Sequence, residues 1–590
     1  MKKNFFVTSI ALMILILSTI VACSNTPETS STHTLPVTSM VFELADTSNI
    51  TVQSFNLGYH TLSHRYVEDL EIPISGMIAT PSTSDGSYPV ALILHGRSGI
   101  QDIHDPLYAG FDYLIEQLAA QGYIAISVNI NASFIFDTLM YDEIIAKIAT
   151  TYNKDLDDFD NGRAEAQTIL SEFADEIEIL ITRDIIATHL HHLDLANDGL
   201  FDRHGINLEN MVDMSDINLI GHSRGGALID DFARVDIANG NDRIRSLVRL
   251  TPLVFDNDGS HPDLPTAIII SEFDNDLPDH IGVSVFDDVL ASKTNASLMS
   301  LVYVRGANHN YFSRMFESDD RFRENGAFFV ALENEDLWPT REEQETFLVG
   351  YVSMFLDTAR GIIPKASHFD TGVAQPHIMF GLDVISSTYV ANAQDVFGEI
   401  VEASNNLQVE AHIQLAQNYG NPHLFKHPIN PINPINLPMT SIQWRSGNDE
   451  DYINISPLVS DFSHHQALSF YIATDSSNEL NASYKNQAFT VSLVDTLGNT
   501  SEVVIEVGTP ALSAHPGIPF RFPDFISEEQ LEGLDKEQDI HPWQGHMLIG
   551  ELRIPLSYFD NVDMSDISSI HIHFNKTGSG AIMLRDVLLK

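Results

Sequence analysis

The chain of 590 residues contains a single cysteine, Cys23. One thiol forms neither an internal disulfide nor a cysteine-based zinc site. Basic residues are scarce as well: 31 Lys and Arg stand against 81 Asp and Glu, which leaves a formal charge of −50. That deficit excludes nucleic acid as a partner, because phosphate recognition needs clustered cations. Charged residues of both signs make up only 19%, so the acidity comes from missing Lys and Arg and not from long acidic runs. An exported, well-solvated surface fits this balance. Past residue 23 no apolar run reaches the roughly 18 residues of a membrane-spanning helix, which predicts a soluble remainder. At 44% hydrophobic and 9% aromatic residues, the chain has ample material for large packed cores.

Lys2 and Lys3 precede an apolar run over residues 5–17, and the segment closes on Ala22-Cys23 before a polar stretch rich in Ser and Thr. This pattern is an export leader and not a core helix. It resembles a bacterial lipoprotein signal, which implies lipidation of Cys23, attachment to the cell envelope and a membrane contact through that lipid. A plain signal peptide with an extracellular product is the alternative. Residues 24–36 read as a tether.

From residue 37 to about 365, continuous apolar runs (90–94, 123–130, 217–220, 246–250, 267–270, 300–304) alternate with helical stretches (106–121, 163–193, 341–358). Runs without polar alternation suit strands buried on both faces, and the alternation predicts an α/β domain with a mostly parallel sheet flanked by helices. Beyond it the period falls to two, with strand candidates at 377–385, 408–415, 467–473, 489–494, 502–507, 546–554, 570–574 and 581–589. These predict an all-β, jelly-roll-like sandwich over 375–590. The boundary near 365 implies that a fragment of residues 36–370 folds alone. Three tripeptide units at 428–436 with Pro at every third place read as an exposed loop.

The chemistry concentrates where strand-like 217–220 enters Gly221-His222-Ser223-Arg224-Gly225-Gly226 and a helix follows. A serine flanked by small residues between a strand and a helix is the layout of a nucleophile elbow. Serine is a weak nucleophile and needs a base oriented by an acid, and both follow in the order Ser, Asp, His. Asp274 stands just past the run 267–270, and His309 stands in the loop past 300–304. Glu272 and Asp276 compete with Asp274 for the acid's place. A second oxyanion donor is expected after an earlier strand, where His95-Gly96-Arg97 follows 90–94, so the backbone N–H groups of Arg97 and Arg224 form the expected pair. His95 reads as a support for that loop. With an unremarkable histidine, activity is expected to fall through a pKa near 6 to 7.

At these residues the chain resembles the α/β-hydrolase superfamily, in its branch similar to chlorophyllases, dienelactone hydrolases and polyester hydrolases. The resemblance covers residues 40–365 and implies a cofactor-free serine esterase. Ser271, where relatives often carry Gly, and Ala227, where they often carry Glu, depart from its pattern. The expected function is hydrolysis of carboxylic esters through Ser223, Asp274 and His309, with an ester as substrate. A carbohydrate esterase whose sandwich docks polysaccharide, with Trp444, Tyr452 and Trp543 as stacking candidates, is the second reading. A catalytically inert surface-binding lipoprotein is the third. No cofactor and no metal are expected: His60 and His64 lack the glutamate of a metalloprotease motif, His571 and His573 share a strand face, and the acids of 155–162 are out of register with a calcium loop. The segment 132–161 is long for a connection and is a candidate lid.

Overall fold

The structure is a computed structural model that describes residues 32–590 apart from 64–68, 84–85, 98–101, 136–149, 151–163, 256–260, 275, 278–279, 321–337, 363–366, 416–436, 449, 476–477, 482–484 and 515–547. The leader with Cys23, His64, most of the candidate lid, the acidic run 155–162, the repeat 428–436 and Trp543 lie outside the described residues.

The first described strand, β1 (Thr32–Thr34), falls in the expected tether but pairs in parallel with Glu502, Val503 and Val504. The end of the tether is therefore part of a sheet: a strand edge offers unpaired N–H and C=O groups that an extended segment satisfies.

An eleven-stranded sheet follows, made of β2 (Ser39–Met40), β3 (Ile50–Leu62), β4 (Leu70–Pro81), β5 (Tyr88–Leu94), β6 (Ile124–Val128), β7 (Val212–His222), β8 (Ile244–Leu250), β9 (Thr266–Ser271), β10 (Met299–Val304), β11 (Ile378–Met379) and β12 (Leu382–Tyr389). Its order is β2-β11-β12-β10-β9-β8-β7-β5-β6-β4-β3. Strands β5 to β10 run parallel, while β4 and β12 are antiparallel to their neighbours. Helices α1 (Asp112–Ala120), α2 (Ala164–Asn197), α3 (Arg224–Ala238), α4 (Val283–Ser292) and α5 (Arg341–Ala359) cover it. One face buries Leu92, Ile126 and Leu219 under α2 and α3; the other buries Ile93, Val248 and Ile269 under α1 and α5. Cover on both faces is why these strands carry no polar alternation. Helix α5 starts in a capping box, with Thr340 accepting from the Glu343 N–H and Glu343 reaching back to the Thr340 N–H.

The large sheet does not end near residue 365. The pattern at 377–385, read as the first strand of the sandwich, supplies β11 and β12, which continue the large sheet beyond β10. Strand β12 is nearly all buried because α5 packs on one side and the C-terminal sheets on the other, and local periodicity does not tell which sheet a strand joins.

The rest is β13 (Gln394–Asp395), β14 (Glu399–Ala403), β15 (Leu407–Leu415), β16 (Leu437–Trp444), β17 (Tyr452–Ser456), β18 (Ala467–Thr474), β19 (Phe489–Asp495), β20 (Thr500–Ile505), β21 (Gly550–Pro555), β22 (Ile567–His573) and β23 (Gly580–Leu589). They form two sheets, β1-β20-β19-β22-β17-β14 and β15-β16-β23-β18-β21, with β13 paired to β23. Phe489, Val491 and Leu493 of one share a core with Leu468, Phe470 and Ile472 of the other. Trp444 belongs to that core: its ring centroid lies 4.5 Å from that of Phe574 and its Nε1 donates to the Thr577 carbonyl, so it is no surface stacking platform.

A buried ionic network joins these sheets to β12. Glu551 accepts from Arg553 Nε (2.8 Å), Lys590 Nζ (2.6 Å), Ser469 Oγ (2.7 Å), Gln375 Nε2 (2.6 Å) and the Thr388 N–H (2.9 Å). Burial alone would raise its carboxyl, but the Arg553 and Lys590 charges hold it well below the usual range. Two consequences are measurable. Glu551→Ala leaves two buried cations without their acid and should cost about 3–5 kcal/mol in denaturant unfolding; a loss within the error of the method would show that the network is dispensable. A fragment ending at residue 370, which removes β12 and opens the β10 edge, should aggregate where the full chain stays soluble.

Candidate active site

Strand β7 ends at His222, and the next residue turns the chain into α3. Ser223 holds φ 56° and ψ −123°, a conformation costly for a residue with a Cβ, on the order of 1–3 kcal/mol. The neighbourhood holds it there: the Ser223 N–H donates to the Leu250 carbonyl (2.9 Å), and its own carbonyl accepts from the Gly226 and Leu253 N–H groups (2.9 and 3.1 Å). Gly221 is required by the crossing, since a Cβ there would lie 2.3 Å from the Gly225 carbonyl oxygen. Gly96 is required by the loop after β5, since its Cβ would lie 2.8 Å from that of Ser223. Arg97 follows at once, and the main-chain N–H groups of Arg97 and Arg224 make no hydrogen bond among the described residues. His95 is fully buried, its pKa pushed down to about 4 by that burial. Its Nε2 accepts from the Ile130 N–H (3.1 Å) while Nδ1 donates to the Gly96 carbonyl (2.8 Å), so it braces the loop as a neutral ring.

The structure brings His309 and Asp274 together: Nδ1 donates to Asp274 Oδ2 at 2.8 Å, with both side chains nearly inaccessible. Asp274 Oδ1 accepts from the Asp276 and Leu277 N–H groups at 3.0 and 2.7 Å, which aims the other oxygen at the imidazole. Glu272 is committed elsewhere, to Arg305 Nε and the Gly306 N–H, both at 2.8 Å. Asp276 faces the other ring nitrogen, with Oδ2 3.7 Å from His309 Nε2. His222, the residue before Ser223, packs on this ring: the His222 and His309 rings are 4.7 Å apart, and His222 Nε2 donates to the His309 carbonyl at 3.1 Å. Among the described residues the Ser223 hydroxyl makes no hydrogen bond to Nε2.

Burial disfavours a charged imidazole, but the charge and hydrogen bond of Asp274, reinforced by Asp276 and Asp320, outweigh it and lift His309 to about 9. These surroundings favour a midpoint above the 6 to 7 expected of an unremarkable histidine. Asp274 is held below the ordinary carboxylate range: its burial acts upward, and the His309 charge and hydrogen bond overcome it.

Several groups around the triad candidates carry no motif. Asp320 accepts from the His309 and Asn310 N–H groups (3.3 and 3.0 Å), and Gln344 of α5 exchanges hydrogen bonds with the Asn308 backbone (3.1 Å each way). Ser271 donates to the Asn308 carbonyl at 2.9 Å, tying the end of β9 to the histidine loop. The Arg224 side chain is held by Glu178 (2.6 Å) and Asp175 (2.8 Å) of α2. Of these, only Ser271 and Arg224 stood out in the sequence, and the partners of neither were legible there. A cavity of about 530 Å3 between β3, β4 and α2 is lined by His60, His191 and Arg203, and none of Ser223, Asp274 or His309 borders it. His60 sits on strand β3 and faces Asp184 of α2, 3.4 Å from its Oδ2.

No protein-family model matches the chain, and no curated protein matches it.

Because three carboxylates raise His309, the titration of its imidazole resonances should show a midpoint well above 6.5. Asp276→Asn, which removes the charge beside Nε2, should shift that midpoint downward, while Asp274→Asn should shift it further. A midpoint indifferent to Asp276→Asn would mean that this carboxylate is screened by solvent.

Proposed function

We propose that the large sheet and its helices are an α/β-hydrolase domain, and that the protein is an exported serine hydrolase of carboxylic esters. The observation that carries this reading is the strained turn at Ser223, in a strand–turn–helix setting, beside a buried Asp274–His309 pair. Three further features support it. Ser223, Asp274 and His309 all follow the carboxyl ends of parallel strands, where ligands bind in such sheets. Their chain order is Ser, Asp, His. The two free N–H groups of Arg97 and Arg224 stand on the loop after β5 and at the start of α3, the two sources of an oxyanion hole in this mechanism.

In this reading Ser223 Oγ attacks the ester carbonyl carbon as His309 Nε2 takes its proton. The carbonyl oxygen becomes an anion facing the Arg97 and Arg224 N–H groups. Collapse of the tetrahedral intermediate breaks the bond to the alkoxy oxygen, to which Nε2 returns the proton, leaving an acyl-serine and an alcohol. Water, deprotonated by the same nitrogen, then releases the carboxylic acid and restores Ser223. Asp274 keeps the ring in the tautomer with Nε2 open. The contact of Nε2 with Asp276 has to yield to Ser223 for the first proton transfer, and because Nε2 must be unprotonated, activity should rise with pH toward about 9.

Hydrolysis of p-nitrophenyl acetate and butyrate, with acetylated sugars as a second panel, tests the proposal. Ser223→Ala and His309→Ala should each lose about 10,000-fold or more in kcat, and the double variant should be scarcely worse than either, because the members act as one unit. Asp274→Asn should lose on the order of 10,000-fold while staying folded. Full activity in Ser223→Ala, or inactivity of the wild type toward every ester at pH 9, would overturn the reading. Preference for acetylated sugars would favour the carbohydrate-esterase variant of it.

A further inference from the structure

Two arginines are among the largest fully buried side chains, and their donors are met very differently. Arg553 has Glu551 on Nε (2.8 Å) and Nη2 (3.0 Å), Thr388 on Nη2, and the His368 and Asp370 carbonyls on Nη1 (3.1 and 3.0 Å). Arg249, on β8 and 1% exposed, has no acceptor for Nε. Its Nη1 has only the Asp230 carboxylate at 3.6 Å, beyond hydrogen-bond distance, and its Nη2 reaches the Leu253 carbonyl at 3.5 Å. Asp230 itself lies closer to His261, at 2.7 Å from Nδ1. A guanidinium carries five N–H donors and a charge that cannot be shed, so burying it this poorly matched is unfavourable unless something else completes the set.

Arg249 lines a cavity of about 70 Å3 between α3 and α4. The connection from β8 to β9 has no helix among its described residues, and the cavity lies over β8 where α3 and α4 meet. The walls are apolar on one side, with Ala227, Val254, Phe255 and Val285, and polar on the other. The acids of the polar side are shared: Asp231 serves both Arg183 (2.5 Å) and Arg234 (2.7 Å), Asp230 lies between His261 and Arg249, and burial moves the Asp288 carboxyl toward its neutral form. Among the described residues Arg249 shares its one nearby acid, Asp230, with His261, and its Nε and Nη1 stay without a hydrogen bond.

We propose that this cavity is a binding site for a short-chain aliphatic carboxylate, separate from the Ser223 centre. Two coplanar oxygens match the edge of a guanidinium and carry the compensating charge. The volume admits a chain of few carbons, and the apolar walls take its alkyl end. Water would meet the donors without neutralising the charge. A chloride ion would neutralise it without the two-point match. Phe255, one wall of the cavity, is also the ring over which the Arg224 guanidinium lies, 5.5 Å from the centroid.

The test is thermal unfolding and calorimetric titration of the full chain with sodium acetate and propionate, against sodium chloride and inorganic phosphate at matched ionic strength. The wild type and Ser223→Ala should both show a saturable rise in unfolding temperature with acetate that chloride does not give, which separates this site from a product bound at the nucleophile. Arg249→Met should lose that rise. Asp230→Asn, which removes the carboxylate competing for Arg249, should bind acetate about tenfold more tightly. An equal acetate response in Arg249→Met would overturn the proposal. If Arg249→Met does not fold, an Asp230→Asn protein with no acetate response beyond that of chloride overturns it equally. Loss of the response in Ser223→Ala alone would move the ligand to the nucleophile and overturn it as well.

Discussion

The strained turn at Ser223 constrains everything around the candidate centre. A residue with a side chain at φ 56° is tolerated because β8 supplies an acceptor in Leu250, and Gly226 and Leu253 supply donors. The same turn forces glycine at 221 and lets the loop after β5 approach only through Gly96. Gly96 packs against Ser223, and the main-chain N–H groups of Arg97 and Arg224, each the next residue in the chain, make no hydrogen bond among the described residues. Strain held by tertiary contacts is a common property of reactive sites, because preorganisation removes the cost of arranging the groups at the moment of reaction.

The second constraint is electrostatic. In a chain of charge −50, His309 is enclosed by Asp274, Asp276 and Asp320, and two of these address its two ring nitrogens. Such surroundings favour the imidazolium. They would stabilise the charged ring that forms after proton transfer from serine, at the expense of the neutral ring that starts it. Asp274 and Asp276, two residues apart, hold opposite sides of the ring: one accepts from Nδ1, and the other faces Nε2, which under the proposed mechanism has to turn to Ser223.

The C-terminal sheets are fastened to the large one by charge as much as by apolar packing. Glu551, Arg553 and Lys590 are fully buried and satisfied by hydroxyls, amides and carbonyls from both sides, and Arg585 pairs with Asp287 of α4 close by. Buried ion pairs seldom add much over an apolar replacement, but they reject alternative registers, because any slip leaves a charge unpaired. Arg249 shows the contrast. Buried on β8, its guanidinium has an incomplete set of partners among the described residues.

The sequence by itself determined what depends on neighbours in the chain. Continuous apolar runs marked β5 to β10, because those strands are covered on both faces. Gly221 to Gly226 marked the turn, because a tight strand-to-helix crossing needs small residues at adjacent positions. Asp274 and His309 stood out by following strand ends in the right order. The tertiary structure alone decided which sheet received 382–389, since an alternating pattern specifies a half-buried or edge strand and not its partner. It also decided that Glu272 turns to Arg305 while Asp276 turns to Nε2, that Trp444 lies in a core, and that three carboxylates raise the His309 imidazole. These depend on distances between groups tens or hundreds of residues apart, and electrostatic energies change with every ångström of separation and every side chain that displaces water, quantities that no local pattern encodes.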